Sequence, residues 1–172
     1  MFAVAVVARY GLSWEGLVLY GLIAALLVIT FVDIDHQIIP DVITCPGIAI
    51  GFLASLALDH ITYKESLFGI IIGGGILFLT ALGYYFLAKR EGMGGGDIKL
   101  LAMIGAFLGW RAVIFTIFVG SAIGAAVSMV LAIHTGKGRK LAVPFGPFLS
   151  LGTLVFLFFG PQIMNWYVQI LR

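Results

Sequence analysis

Two aspartates, Asp33 and Asp97, are fused directly to long apolar runs. Asp33 follows Ile29-Thr30-Phe31-Val32 with no polar spacer. Asp97 precedes Ile98 and, after Lys99, Leu100-Leu101-Ala102-Met103. A charge inside a membrane costs roughly 2.5–3.5 kcal/mol near the helix centre on insertion scales, so such positions are functional candidates. Two carboxylates held close cannot both ionise cheaply; one keeps a proton and the pair titrates as a unit. That arrangement suits amide hydrolysis. One member takes a proton from an attacking water, and the other donates to the carbonyl oxygen. The chemistry requires neither a metal nor a nucleophilic side chain.

A pair of this kind needs elements that bring its members together, and the composition says what those elements are. The chain is 62% hydrophobic and 10% charged, against roughly 45–50% and about 25% for a soluble domain. So few charges could not cover that much apolar surface in water, so the bilayer is the expected solvent. The expected fold is all-α, a polytopic membrane helix bundle of about six spans in one domain over 1–172. The apolar stretches are Gly16 to Val32, Val42 to Leu58, Leu67 to Ala88, Ile98 to Gly109, Ala112 to Ile133 and Leu141 to Leu171. The last is interrupted by Pro144, Pro147 and Pro161. Met1 to Ala8 is apolar but too short to span, and residues 1–12 read as the tail of a preceding helix. A net charge of +2 gives no argument for nucleic acid.

Counting spans places the aspartates. The first stretch ends at Asp33, the second leaves, the third returns, and the fourth begins at Asp97, so both carboxylates are expected on one side. Lys89, Arg90, Lys99, Lys137, Arg139 and Lys140 fall on that side, and Arg9, Lys64, Arg111 and Arg172 on the other. The denser basic clusters mark the aspartate side as cytoplasmic. Trp14, Trp110 and Trp166 all fall opposite, where interface anchors are expected. The fourth stretch would reach only about 18 Å of a hydrocarbon core of about 30 Å. Either Asp97 sits in a water-filled recess, or the segment is a half-span or re-entrant. Gly47 and Gly51, Gly69 and Gly73, and Gly120 and Gly124 have the spacing that lets helices pack closely.

Other peptide-cutting chemistries find no support in the sequence. No His-Glu-x-x-His is present, and His36, His60 and His134 are scattered. The single cysteine, Cys45, excludes an internal disulfide and a zinc quartet. No serine sits in an intramembrane Gly-x-Ser setting with a histidine partner. The run Gly92-Met93-Gly94-Gly95-Gly96 before Asp97 lacks the Gly-Lys-Ser/Thr ending of a phosphate loop. It reads either as a backbone platform for a substrate strand or as a flexible connector.

Three segments resemble the type IV prepilin peptidases. Asp33-Ile-Asp35-His36-Gln37-Ile-Ile-Pro40-Asp41 is similar to the family's first aspartate motif. Gly94-Gly95-Gly96-Asp97-Ile98-Lys99-Leu100-Leu101-Ala102 resembles its Gly-x-Gly-Asp motif with the Lys-Leu continuation. Pro144-Phe145-Gly146-Pro147-Phe148-Leu149 is similar to a third family segment. The resemblance implies a GxGD-type aspartyl protease of the bacterial inner membrane. Such enzymes cut the basic leader from type IV prepilins and from the pseudopilins of type II secretion, at the cytoplasmic side. By motif position Asp33 and Asp97 are the implied catalytic pair, with Asp35 the rival for the first place. Longer family members carry an N-terminal domain, often with zinc-binding Cys-x-x-Cys motifs, associated with methylation by S-adenosylmethionine. That part is missing here, so no cofactor is expected for the peptidase alone.

The remaining candidates have two readings each. Asp35, Asp41 and Glu91 either make an acidic mouth that attracts the leader's basic residues or are ordinary solvated loop residues. Lys99 either tunes the pair or snorkels to head groups. Pro144 and Pro147, with Gly146 between them, either break the last span near the site or start a helix there. His36 is expected to hydrogen-bond locally. A competing function is a small ion- or proton-coupled carrier using the same aspartates, which would be expected to carry an inverted repeat that this sequence lacks. A non-catalytic assembly subunit would leave the aspartates without a task.

Overall fold

The computed structural model describes residues 13–58, 61–89, 94–135 and 143–170. Residues 1–12, Arg90 to Met93 and 136–142, which hold Glu91 and much of the basic bias, lie outside the described residues, as do His60 and Arg172. The chain is an all-α membrane bundle of helices α1 (Trp14–His36), α2 (Asp41–Ala54), α3 (Tyr63–Ala88), α4 (Gly95–Thr135) and α5 (Gly146–Ile170). Ser13 caps α1 by accepting the Gly16 N–H at 3.1 Å, and Thr62 with Glu65 forms a capping box on α3. These side chains satisfy N–H groups that a helix start leaves without partners.

The expected fourth and fifth stretches form one element. Gly109 breaks it at φ 79°, ψ 176°, a region essentially restricted to glycine. Contacts on either side give the directions. Gly69 lies against Gly105 and Gly73 against Leu101, so α3 and the first arm of α4 run antiparallel. Gly47 meets Met103 and Gly51 meets Phe107, so α2 runs parallel to that arm. Thr116 bonds Thr153 at 3.3 Å and Gly120 lies against Phe148, so the second arm is antiparallel to α5. Asp97, before Gly109, shares a cavity with Val143-Pro144-Phe145, and Gly120, after it, lies against Phe148, so both arms have an end at the start of α5 and the chain reverses at Gly109 with no loop.

Counted as unbroken elements, three described helices are long and apolar enough to cross a bilayer, Trp14–His36, Tyr63–Leu87 and Gly95–His134, the last being the expected fourth and fifth stretches joined at Gly109. Asp41–Ala54 is a shorter apolar helix, and Gly146–Gly160 is the apolar first part of α5. α2 and the first arm of α4, Gly95 to Leu108, each reach only about 21 Å at 1.5 Å per residue.

The first arm of α4 is the centre of the bundle. Leu100, Leu101, Met103, Ile104 and Phe107 are buried and share a core with Leu22, Leu26 and Ile29 of α1, Leu77 of α3 and Leu149 of α5. Small residues let backbones approach there. A Cβ on Gly73 would sit 2.5 Å from the Leu101 carbonyl oxygen. Ser66 donates to the Ala106 carbonyl at 2.7 Å across the same seam. Thr153 donates to the Leu149 carbonyl at 2.8 Å, which leaves Thr116 the donor to Thr153. By the α3 register Asp97 is level with Leu77, and α3 runs on to Ala88, roughly eleven residues or about 16 Å further. Gly105→Val is expected to lower stability by about 1–3 kcal/mol through overpacking against α3. Gly75→Ala, with nothing within 4 Å, is expected to leave stability unchanged or raise it slightly. Thermal unfolding in detergent measures both.

Candidate active site

The helical period that buries the core of α1 also buries its aspartate. Leu19, Leu22, Ile23, Leu26 and Ile29 form one inward stripe, and Asp33 continues it. Only 5% of Asp33 is exposed, although it lies one turn from the helix end. The next residues turn the chain. Gln37 takes the left-handed conformation at φ 55° and donates its N–H to the Asp33 carbonyl at 2.9 Å. Asp35, two residues along, falls off the stripe and is exposed.

Asp97 sits in the first turn of α4 and is half-buried. Its N–H donates to the Gly94 carbonyl at 3.2 Å. It heads the inward stripe that continues through Leu100, Leu101 and Ile104. The end of α1 and the start of α4 thus present their acids from buried faces.

Both aspartates line one cavity of about 550 Å³. Its other walls are the turn Gln37-Ile38-Ile39, the segment Gly94-Gly95-Gly96, and Val143-Pro144-Phe145 ahead of α5. The start of α5 closes on Asp33, with the Gly146 N–H donating to Asp33 Oδ2 at 2.9 Å. A Cβ at Gly146 would lie 2.6 Å from that oxygen, so no other side chain fits without displacing the carboxylate. A buried carboxylate left without its donor would cost about 1–3 kcal/mol. Pro147 is buried in the first turn of α5, where its missing N–H is not needed. Pro144 and Pro147 therefore start a helix at the site.

The remaining candidates lie elsewhere. Lys99 and Asp41 pair with each other, Nζ to Oδ2 at 2.6 Å, and neither lines the cavity. Asp35, His36 and Pro147 do not line it either. Of the glycine run, Gly94 and Gly96 are at the wall, and Gly96 is pressed against Ile39, whose Cβ would be 2.7 Å from a Cβ there. Sequence reasoning missed Gln37, Ile39 and Phe145. Ile39 lies within the first aspartate motif, but nothing in the sequence pairs it with Gly96. Among the described residues, no group of three or more His, Cys, Asp or Glu is placed to hold a metal ion.

Residues 20–129 match the family model described as the type IV leader peptidase family. The chain belongs to that family. It is 33% identical over 168 residues to the prepilin leader peptidase/N-methyltransferase of Stutzerimonas stutzeri, covering 95% of this chain and 57% of that protein. It is 32% identical over 161 residues to the Pseudomonas aeruginosa protein of the same name, covering 94% and 56%. The Pseudomonas putida protein of that name is 33% identical over 175 residues, covering 99% and 59%. The chain thus spans a little over half the length of these relatives. No solved structure gives a significant match. Within this leader peptidase family chain, the contact of Ile39 with Gly96 joins the two aspartate-bearing segments. Gly96→Ala is expected to cost about 1–3 kcal/mol of stability. Adding Ile39→Ala is expected to recover part of that loss, a coupling that a double-mutant cycle on detergent-solubilised protein reads directly.

Proposed function

We propose that this chain is a prepilin leader peptidase in which Asp33 and Asp97 share a proton and activate a water. The observation that carries the reading is that the two acids, distant in sequence, line one cavity between α1, α4 and the start of α5. Membership of the type IV leader peptidase family supports it. The substrate would be a prepilin or pseudopilin whose basic leader precedes an apolar helix. The scissile peptide would enter beside Gly94-Gly95-Gly96, with the aspartates facing the cytoplasm from the inner membrane.

The proposed steps use groups of the cavity. One carboxylate takes a proton from water as its oxygen bonds to the carbonyl carbon. The other donates its proton to the carbonyl oxygen, giving a neutral tetrahedral intermediate. As that intermediate collapses the C–N bond breaks, the protonated carboxylate gives its proton to the leaving nitrogen and the ionised one takes a proton from a hydroxyl of the intermediate, so the pair again holds one proton. The Gly146 N–H holds the Asp33 carboxylate in place throughout. Methyl transfer to the new N-terminus is not part of this proposal. The carrier reading gains no specific support from the geometry.

Asp33→Asn and Asp97→Asn are each expected to lower cleavage by about 10³-fold or more with the fold retained. Undiminished cleavage of a prepilin in membranes by either variant would refute that residue's role. The rate is expected to fall on both sides of a pH optimum, because the singly protonated pair is the active form. Gly146→Ala is expected to reduce cleavage by about tenfold or more by displacing the Asp33 carboxylate. Gly21→Ala, with nothing within 4 Å, is expected to cleave normally in the same assay.

A further inference from the structure

Lys99 is oddly placed for a surface cation. It lies near the N-terminus of α4, where the helix dipole disfavours positive charge. It is two residues from Asp97, a spacing that puts the side chains on different faces of the helix. Its face is the one that meets α2: Met103, one turn on, packs against Gly47. Carrying that parallel register back one turn brings residue 99 level with residue 43, half a turn from Asp41. There the two side chains meet at 2.6 Å.

Asp41 has an equal peculiarity. α2 begins after Pro40 with no side-chain cap, and the Asp41 carboxylate turns to Lys99 rather than to its own first turn. Two residues before it, Ile39 presses on Gly96. The segment 39–41 therefore touches α4 at two points, one apolar and one ionic, on either side of Asp97 in sequence. The other end of this segment is the Gln37 turn that closes α1 onto the Asp33 carbonyl.

We propose that the Asp41–Lys99 ion pair is a positioning clasp: it fixes the spacing of the Asp33- and Asp97-bearing helix ends and does not bind the substrate leader. The inference rests on the catalytic reading of Asp33 and Asp97. With side chains 41% and 59% exposed, the pair contributes little to overall stability. Its contribution is geometric, since small misplacements of catalytic groups lower turnover strongly.

The test uses the whole chain reconstituted in lipid vesicles and a synthetic peptide with a Lys/Arg-rich leader before an apolar segment. Asp41→Asn and Lys99→Gln are each expected to lower kcat about tenfold, with KM and Tm close to wild type. Lys99→Arg, which keeps the pair, is expected to retain most of kcat. The exchange Asp41→Lys with Lys99→Asp is expected to recover most of the kcat that either single variant loses. Unchanged kcat in the single variants would overturn the clasp. So would a loss expressed in KM alone, which would make Asp41 a leader-binding charge, or an exchange no better than the singles. Parallel Asp33→Asn and Asp97→Asn reactions separate the two claims. If these still cleave, the catalytic reading fails; if they are dead while the clasp variants keep wild-type kcat, only the clasp fails.

Discussion

A carboxylate buried at the end of an apolar helix must find a donor, and this requirement organises the bundle. Asp33 lies on the inward stripe of α1, and the N–H that reaches it belongs to Gly146. More than a hundred residues separate the two in the chain. The bond therefore draws the start of α5 onto the end of α1, and Val143-Pro144-Phe145 becomes a wall of the same cavity. A buried polar group without a partner is far more costly than an exposed one, so this contact constrains every element near it.

The central helix arm depends on a second constraint, the space that glycine leaves. Helices in lipid gain little from hydrophobic burial against one another, so close backbone packing has to hold them. Gly69 and Gly105 meet across α3 and α4, and Gly47 and Gly51 admit Met103 and Phe107 from α4 to α2. Gly109 then reverses the chain at a single residue. Together these keep the first arm short and central, with Asp97 at its head and α3 running on past it. The brevity of the fourth apolar stretch, puzzling in a spanning segment, follows from that arrangement.

Charges near the site divide by helical face. Asp33 and Asp97 share stripes with leucine and isoleucine and point inward. Asp35 and Lys99, each two residues away from one of them, lie on other faces. Asp41 and Lys99, which an inspection of charge would count among an acidic mouth and a tuning cation, neutralise each other outside the cavity. A difference of two positions on a helix decides whether an ionisable group faces the cavity or lies outside it.

The sequence by itself determined the solvent, the helical class and the location of the apolar stretches, because composition and hydropathy act locally. It also marked Asp33 and Asp97, since charges fused to apolar runs are visible without a fold, and the motif glycines around them. It did not reveal that Gly146 serves Asp33, that Ile39 rests on Gly96, or that Lys99 belongs to Asp41. Nor did it show that two expected spans join at Gly109 without a loop. Those depend on which helix faces meet and in what register, and the register is set by close packing between segments distant in the chain. Hydropathy reports how apolar each segment is and says nothing about which neighbour its glycines admit.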